Sequence, residues 1–132
     1  MFKFLEKRKK IFVYIPLTVY WIVLFVATSY PTTSIPTLGV SDKIQHMSAF
    51  FILGVLLYLT LIFQNKYPKL KEKNVLYTIL IGSFYGVLDE LHQILIPGRF
   101  CELLDFASDF SGLVLAVVFI ILLMKVNKFI PE

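Results

Sequence analysis

Asp89, Glu90, His92 and Gln93 put two acids, an imidazole and an amide into a stretch of chain that is otherwise apolar. An ionised side chain in a bilayer interior costs at least ~2.5 kcal/mol unless it is paired or watered, so these residues mark a functional site ahead of structural glue. Gly86, Glu90 and Gln93 recur at i, i+4 and i+7 on one helical stripe, and the glycine permits close helix approach one turn from the carboxylate. Asp89, His92 and Gln93 form the neighbouring stripe.

Two further segments carry chemistry. In Ser41-Asp42-Lys43-Ile44-Gln45-His46, Ser41 or Asp42 can cap a helix, and Asp42 lies four residues before His46, where its carboxylate can hold the imidazole tautomer or favour the protonated ring. Read alone, that segment fits a capped helix end with a snorkelling Lys43 equally well. In Pro97 to Gly112, Asp105, Asp109 and Gly112 again share a face at i, i+4 and i+7. Asp105 can be stabilised by the helix dipole alone, whereas Asp109 lies a turn deeper and needs a partner. Arg99 can supply one through a bidentate guanidinium, or can meet a phosphate or other anion from outside.

Two function classes fit these groups. One is a non-enzymatic pocket with Glu90 and Gln93 at its floor and Lys43 and Arg99 at its rim, Arg99 holding the anionic part of a lipid headgroup. The other is a membrane-embedded hydrolase or phosphotransferase in which His46 or Glu90 is the general base and the carboxylates hold a divalent cation. His46, Glu90, Asp105 and Asp109 make such a cation site only if the fold gathers them. No H-x-x-x-H or H-E-x-x-H spacing is present and the chain has 2 His, so the sequence assigns no residue as a metal ligand and specifies no cofactor. An ion relay through Asp89, Glu90 and His92 lacks polar stepping stones in the opposite halves of the helices. Cys101, the single cysteine, is incidental or pairs between molecules, and the serines lack a G-x-S-x-G setting.

The elements that must position these groups are apolar helices. The 132 residues are 58% hydrophobic with a mean hydropathy of +0.77, above the roughly 45–50% of soluble domains. Apolar runs at 11–30, about 44–63, about 75–96 and about 106–126 each approach the ~20 residues that cross a hydrocarbon core. A soluble bundle would need a polar stripe on every helix, and the first run contains no charge. The expectation is an all-α, four-helix transmembrane bundle forming a single domain over 1–132. The first run exceeds the ~7–15 residues of a signal-peptide core, so it reads as an uncleaved span despite a faint cleavage-like Ala27-Thr28-Ser29.

Of 13 Lys and Arg, all but Lys43 and Arg99 flank the first run's start, the second-to-third connection or the last run's end. Basic residues in short loops stay cytoplasmic, which predicts both termini inside, a multi-pass protein of the cell membrane, and outward loops at 32–42 and 97–102. Asp42, Asp89, Glu90, Glu102, Asp105 and Asp109 fall on the outward half, against Glu6, Glu72 and Glu132 inside. The net charge of +4 is explained by basic anchoring at an anionic leaflet and calls for no nucleic-acid partner.

The residues DKIQH, LDELHQILIPGR and the following Asp-x-x-x-(Asp)-x-x-Gly closely resemble the VanZ-like membrane proteins of bacteria, over about 41–112 of the chain. The resemblance implicates Asp42, Lys43, His46, Glu90, Gln93, Arg99 and Asp105 as site residues. Asp109 stands where the family usually has Asn, which adds a potential charge and alters the hydrogen-bonding pattern. The family's namesake is associated with resistance to the glycopeptide teicoplanin, so the resemblance implies an envelope role, that phenotype, and a cell-wall precursor or glycopeptide-like drug as further ligands of the pocket, without defining a reaction. His46, Glu90, Gln93, Arg99 and Asp105 are expected to converge within hydrogen-bond or one-water distance.

Overall fold

A computed structural model describes residues 1–31, 39 and 41–130. The described residues form helices and turns and contain no strand: α1 (Phe2–Lys7), a π-helical turn (Lys10–Tyr14) leading into α2 (Ile15–Thr28), α3 (Asp42–Phe63), α4 (Pro68–Glu72), α5 (Asn74–Gln93) and α6 (Leu103–Val126). Most of the expected outward loop at 32–42, and Glu132, lie outside the described residues.

Three helices are long and apolar enough to cross a membrane: Lys10–Thr28, Asp42–Phe63 and Leu103–Val126. The fourth expected span corresponds to α5, where Asp89 and Glu90 within Asn74–Gln93 interrupt the apolar run. Its helix also stops three residues before the expected end at 96. The chain turns there, with Leu95 N–H donating to His92 O and Ile96 N–H to Gln93 O, both at 3.0 Å, ahead of Pro97, which disfavours helix in the residue before it. The last helix begins at Leu103, earlier than expected. The short α1, absent from the expectation, forms because Phe2 has a pocket: its ring stacks on Phe129 at 5.1 Å and is buried.

The core is a three-helix unit in which α3 packs most extensively on α6, and α5 on both, with α2 laid more lightly alongside. Small residues set the closest approaches, as expected where lipid removes the hydrophobic drive between helices. Gly112 is the tightest: a Cβ there would lie 2.3 Å from Met47 O and 2.9 Å from Phe51 N, so the α3 and α6 backbones meet with only hydrogen between them. Beside this crossing, Leu53, Phe50, Leu57 and Leu113 fill one apolar cluster together with Leu17 and Leu24 of α2. A second cluster of Phe2, Val13, Tyr58, Ile62, Phe63, Val117 and Ile120 closes the end that holds the termini. Lys9 Nζ also donates there to Phe63 O. The perimeter exposes Ile15, Val19, Ile22 and Phe25 of α2, Leu80, Phe84 and Leu88 of α5, and Leu115, Phe119 and Leu122 of α6. Apolar exposure on this scale needs lipid in place of water.

Candidate functional site

At the end opposite the termini, α3, α5 and α6 turn their polar residues inward. Asp89, Glu90 and Gln93 are buried on α5, and Asp105 and Asp109 on α6, as the two i, i+4, i+7 faces require. The helices themselves are ordinary; the choice of residue on their buried faces makes the site. At Gly86 the missing side chain lets α5 come close enough that a Cβ would stand 3.4 Å from Asp109 Oδ2.

Three linked groups result. His46 of α3 bonds through Nδ1 to Asp109 Oδ1 at 2.9 Å, and the two residues are 9% and 1% exposed. Asp42 was the expected partner from its place one turn before His46. It starts α3 in an exposed position instead, after an N-cap Ser41 that makes no side-chain capping bond. The imidazole faces the buried carboxylate of a different helix, a pairing that spacing along one helix does not encode. Lys43 pairs with Glu102 at 2.5 Å and with Asp105, clamping the start of α3 to the start of α6. Glu90 Oε2 accepts the backbone N–H of Glu102 at 3.0 Å, tying α5 to the same corner.

Arg99 does not pair with Asp109 or with any other carboxylate among the described residues. Its Nε donates to Tyr30 O at 3.0 Å, Nη1 to Gln93 Oε1 at 3.2 Å and Nη2 to Ala27 O at 3.5 Å. Gln93 in turn donates to Asp89 Oδ2 at 3.0 Å. The guanidinium is therefore fixed by neutral acceptors, and its charge is balanced only at second hand. Two of those acceptors belong to the first apolar helix and the residues just after it, so α2 shapes the site as well as covering it.

A cleft of about 210 Å³ opens between these elements. Leu24, Ala27 and Thr28 of α2 form one wall, Asp42, His46 and Phe50 of α3 another, and Tyr85 and Asp89 of α5 a third, with Arg99 at the edge. Glu90, Asp105 and Asp109 lie within the bundle and do not line it. Thr28 and Tyr85 were not singled out by sequence. Tyr85 had a usable signal, since it stands four residues before Asp89 on the same helical face. Thr28 had none, because it belongs to a helix with no charged residue. Trp21 packs edge-on against Tyr85 at 5.7 Å, which places the chain's one tryptophan behind the cleft wall.

His46, Glu90 and Asp109 each offer a donor atom within 4.8 Å of the others, and so do Asp42, His46 and Asp105. Seven of the eight sequence-selected residues thus sit in two adjoining networks, one around Lys43, His46, Glu90, Asp105 and Asp109 and one joining Gln93 to Arg99, with Asp42 on the cleft wall. His92 is set apart, its ring stacked on Phe25 at 4.8 Å.

An all-helical chain with three apolar helices of spanning length and a buried polar cluster at one end is a multi-pass membrane protein. More narrowly, it belongs to the VanZ/LLP1 family, whose model matches residues 2–124. No curated protein and no solved structure matches it.

Proposed function

We propose that this VanZ-like protein is a four-span, single-domain protein of the bacterial cell membrane, both termini cytoplasmic, that seats the anionic headgroup of an envelope lipid or lipid-linked cell-wall precursor in the cleft beside Arg99. The observation that carries this reading is a guanidinium on a cleft wall whose hydrogen bonds all go to uncharged acceptors, leaving its charge for an anion. The basic residues near the termini and the second-to-third connection support the orientation. Counting α5 as a span is supported by its 20 residues and by the burial of its acids inside the bundle.

The cleft also narrows the ligand. At about 210 Å³ it falls below the roughly 300–1,000 Å³ of sites that enclose drug-sized molecules, so a headgroup fits inside and an intact glycopeptide does not. Teicoplanin resistance then follows from engaging a lipid or precursor. Trp21 fluorescence provides the test: short-chain phosphatidylglycerol should give a saturable change, phosphatidylcholine a much weaker one, and Arg99→Gln should cut affinity ~10-fold or more. Equal response to both lipids would overturn the anionic-headgroup reading. In a teicoplanin-sensitive host, wild type should protect and an equally abundant Glu90→Gln variant should not.

One observation favours a second, catalytic reading, that of a hydrolase or phosphotransferase acting on such a lipid. His46 lines the cleft, Asp109 holds its Nδ1, and Nε2 is left as the ring nitrogen able to act as general base. In hydrolysis a water proton would pass to Nε2 as the water oxygen attacks phosphorus, and the departing headgroup oxygen would take the proton back. Glu90, the other candidate base, is turned to the Glu102 amide. Mass spectrometry of released headgroup decides: turnover lost in His46→Gln while lipid affinity stays within about threefold supports catalysis, and no turnover by wild type leaves binding alone.

A further inference from the structure

Glu90, Asp109 and His46 are buried together where α3, α5 and α6 meet. In both carboxylates one oxygen is hydrogen-bonded and the other is not. Glu90 Oε2 takes the Glu102 amide, whereas Oε1 is buried without a partner. Asp109 Oδ1 is held by His46, whereas Oδ2 is buried without a partner. The bond between His46 Nδ1 and Asp109 Oδ1 lies within the group, and a cation seated between the two residues would replace it. Holding one carboxylate oxygen by a hydrogen bond is how protein metal ligands are oriented, and Glu90 is held in this way from outside the set.

We propose that His46, Glu90 and Asp109 bind one divalent transition cation of the Zn²⁺ or Mn²⁺ type. One donor atom from each already lies within 4.8 Å of the other two. Ligands at ~2.0–2.2 Å from an ion stand at most ~4.4 Å apart, so the set closes on a cation with side-chain shifts of about half an ångström. The charges fit as well: two carboxylates and a neutral imidazole around a divalent ion sum to zero, which suits a site 1–9% exposed inside a membrane protein. Mixed nitrogen and oxygen donors favour Zn²⁺ or Mn²⁺ over Ca²⁺ and Mg²⁺, which prefer oxygen alone. Gly86 keeps the flank of Asp109 Oδ2 clear of a side chain. The overlapping group of Asp42, His46 and Asp105 is the poorer site, because Asp105 is committed to Lys43 and Asp42 is exposed. With three protein ligands the ion keeps an open position, and His46 joins it to the cleft; an imidazole that ligates the ion is not free as a general base, so this site and the catalytic role of His46 are alternatives.

The test needs no lipid, so its outcome is independent of the headgroup reading. Untagged protein in detergent is stripped with a chelator, dialysed against Zn²⁺ or Mn²⁺ in turn, and its metal content measured. Wild type and Glu102→Gln should retain about one equivalent of one of the two ions, and Glu90→Gln and Asp109→Asn less than about a fifth of that with unchanged helical circular dichroism. Adding the ion back to stripped wild type should raise its melting temperature by several degrees. Cobalt loading should give a visible absorption band that His46→Gln abolishes. Wild type that keeps less than a tenth of an equivalent of either ion, and whose melting is unmoved by adding it, would overturn the proposal whatever the variants do.

Discussion

The two ends of the bundle use the same helices for opposite purposes. Where the termini meet, Phe2, Phe63, Phe129, Ile62 and Val13 fill space mainly through apolar packing and ring contacts. At the other end buried acids, an imidazole and an amide make directional bonds among apolar neighbours such as Phe50, and two carboxylate oxygens remain without partners. A sequence selected only for stability would have filled that region with apolar residues, since replacing buried charge by well-packed side chains is often neutral or stabilising. On the proposed function, the first end serves stability and the second serves chemistry.

That division can be broken by mutation. Phe63→Ala, which removes a fully buried ring, should cost the most, ~3–5 kcal/mol, read by denaturation in mixed micelles, yet leave lipid and metal affinity unchanged in whatever fraction stays folded. Loss of the ligand sites along with the ring would mean that the ends are not separable. Lys43→Met should come next, with a melting temperature lower by several degrees, because it strands Asp105 without its partner at 3% exposure. Restoring neutrality in Lys43→Met/Asp105→Leu should recover most of the loss. Glu90→Gln should sharpen the contrast: the amide oxygen still accepts the Glu102 N–H, so melting should move by no more than a few degrees while metal retention and teicoplanin protection fall. Glu102→Gln should do least, since that carboxylate is half-exposed and Lys43 keeps Asp105. A melting change above a few degrees there would show the corner clamp to be stronger than its exposure implies.

Faces were legible in the sequence and partners were not. The spacing of Gly86, Glu90 and Gln93, and of Asp105, Asp109 and Gly112, fixed which sides of α5 and α6 turn inward, because helical periodicity belongs to one chain segment. Asp109 meeting His46, with Asp42 left outside, depends on how α3 crosses α6. Arg99 bonding to the carbonyls of Ala27 and Tyr30 could not be anticipated, because every residue has a carbonyl and none advertises its use. The apolar runs located the helices to within a few residues, while α5 showed the limit of that rule: the same acids that mark the site lower its apolar character. The possible cation ligands come from three helices, so no linear motif contains them.

At Gly112 the main chains of α3 and α6 lie against each other, with no side chain between them to yield. The shape of the molecule at that level is set by peptide geometry, common to any sequence that keeps a glycine there. Descendants of this chain can therefore trade volumes at one end and ligands at the other around an invariant pivot, and a change of specificity need not be accompanied by a change of fold.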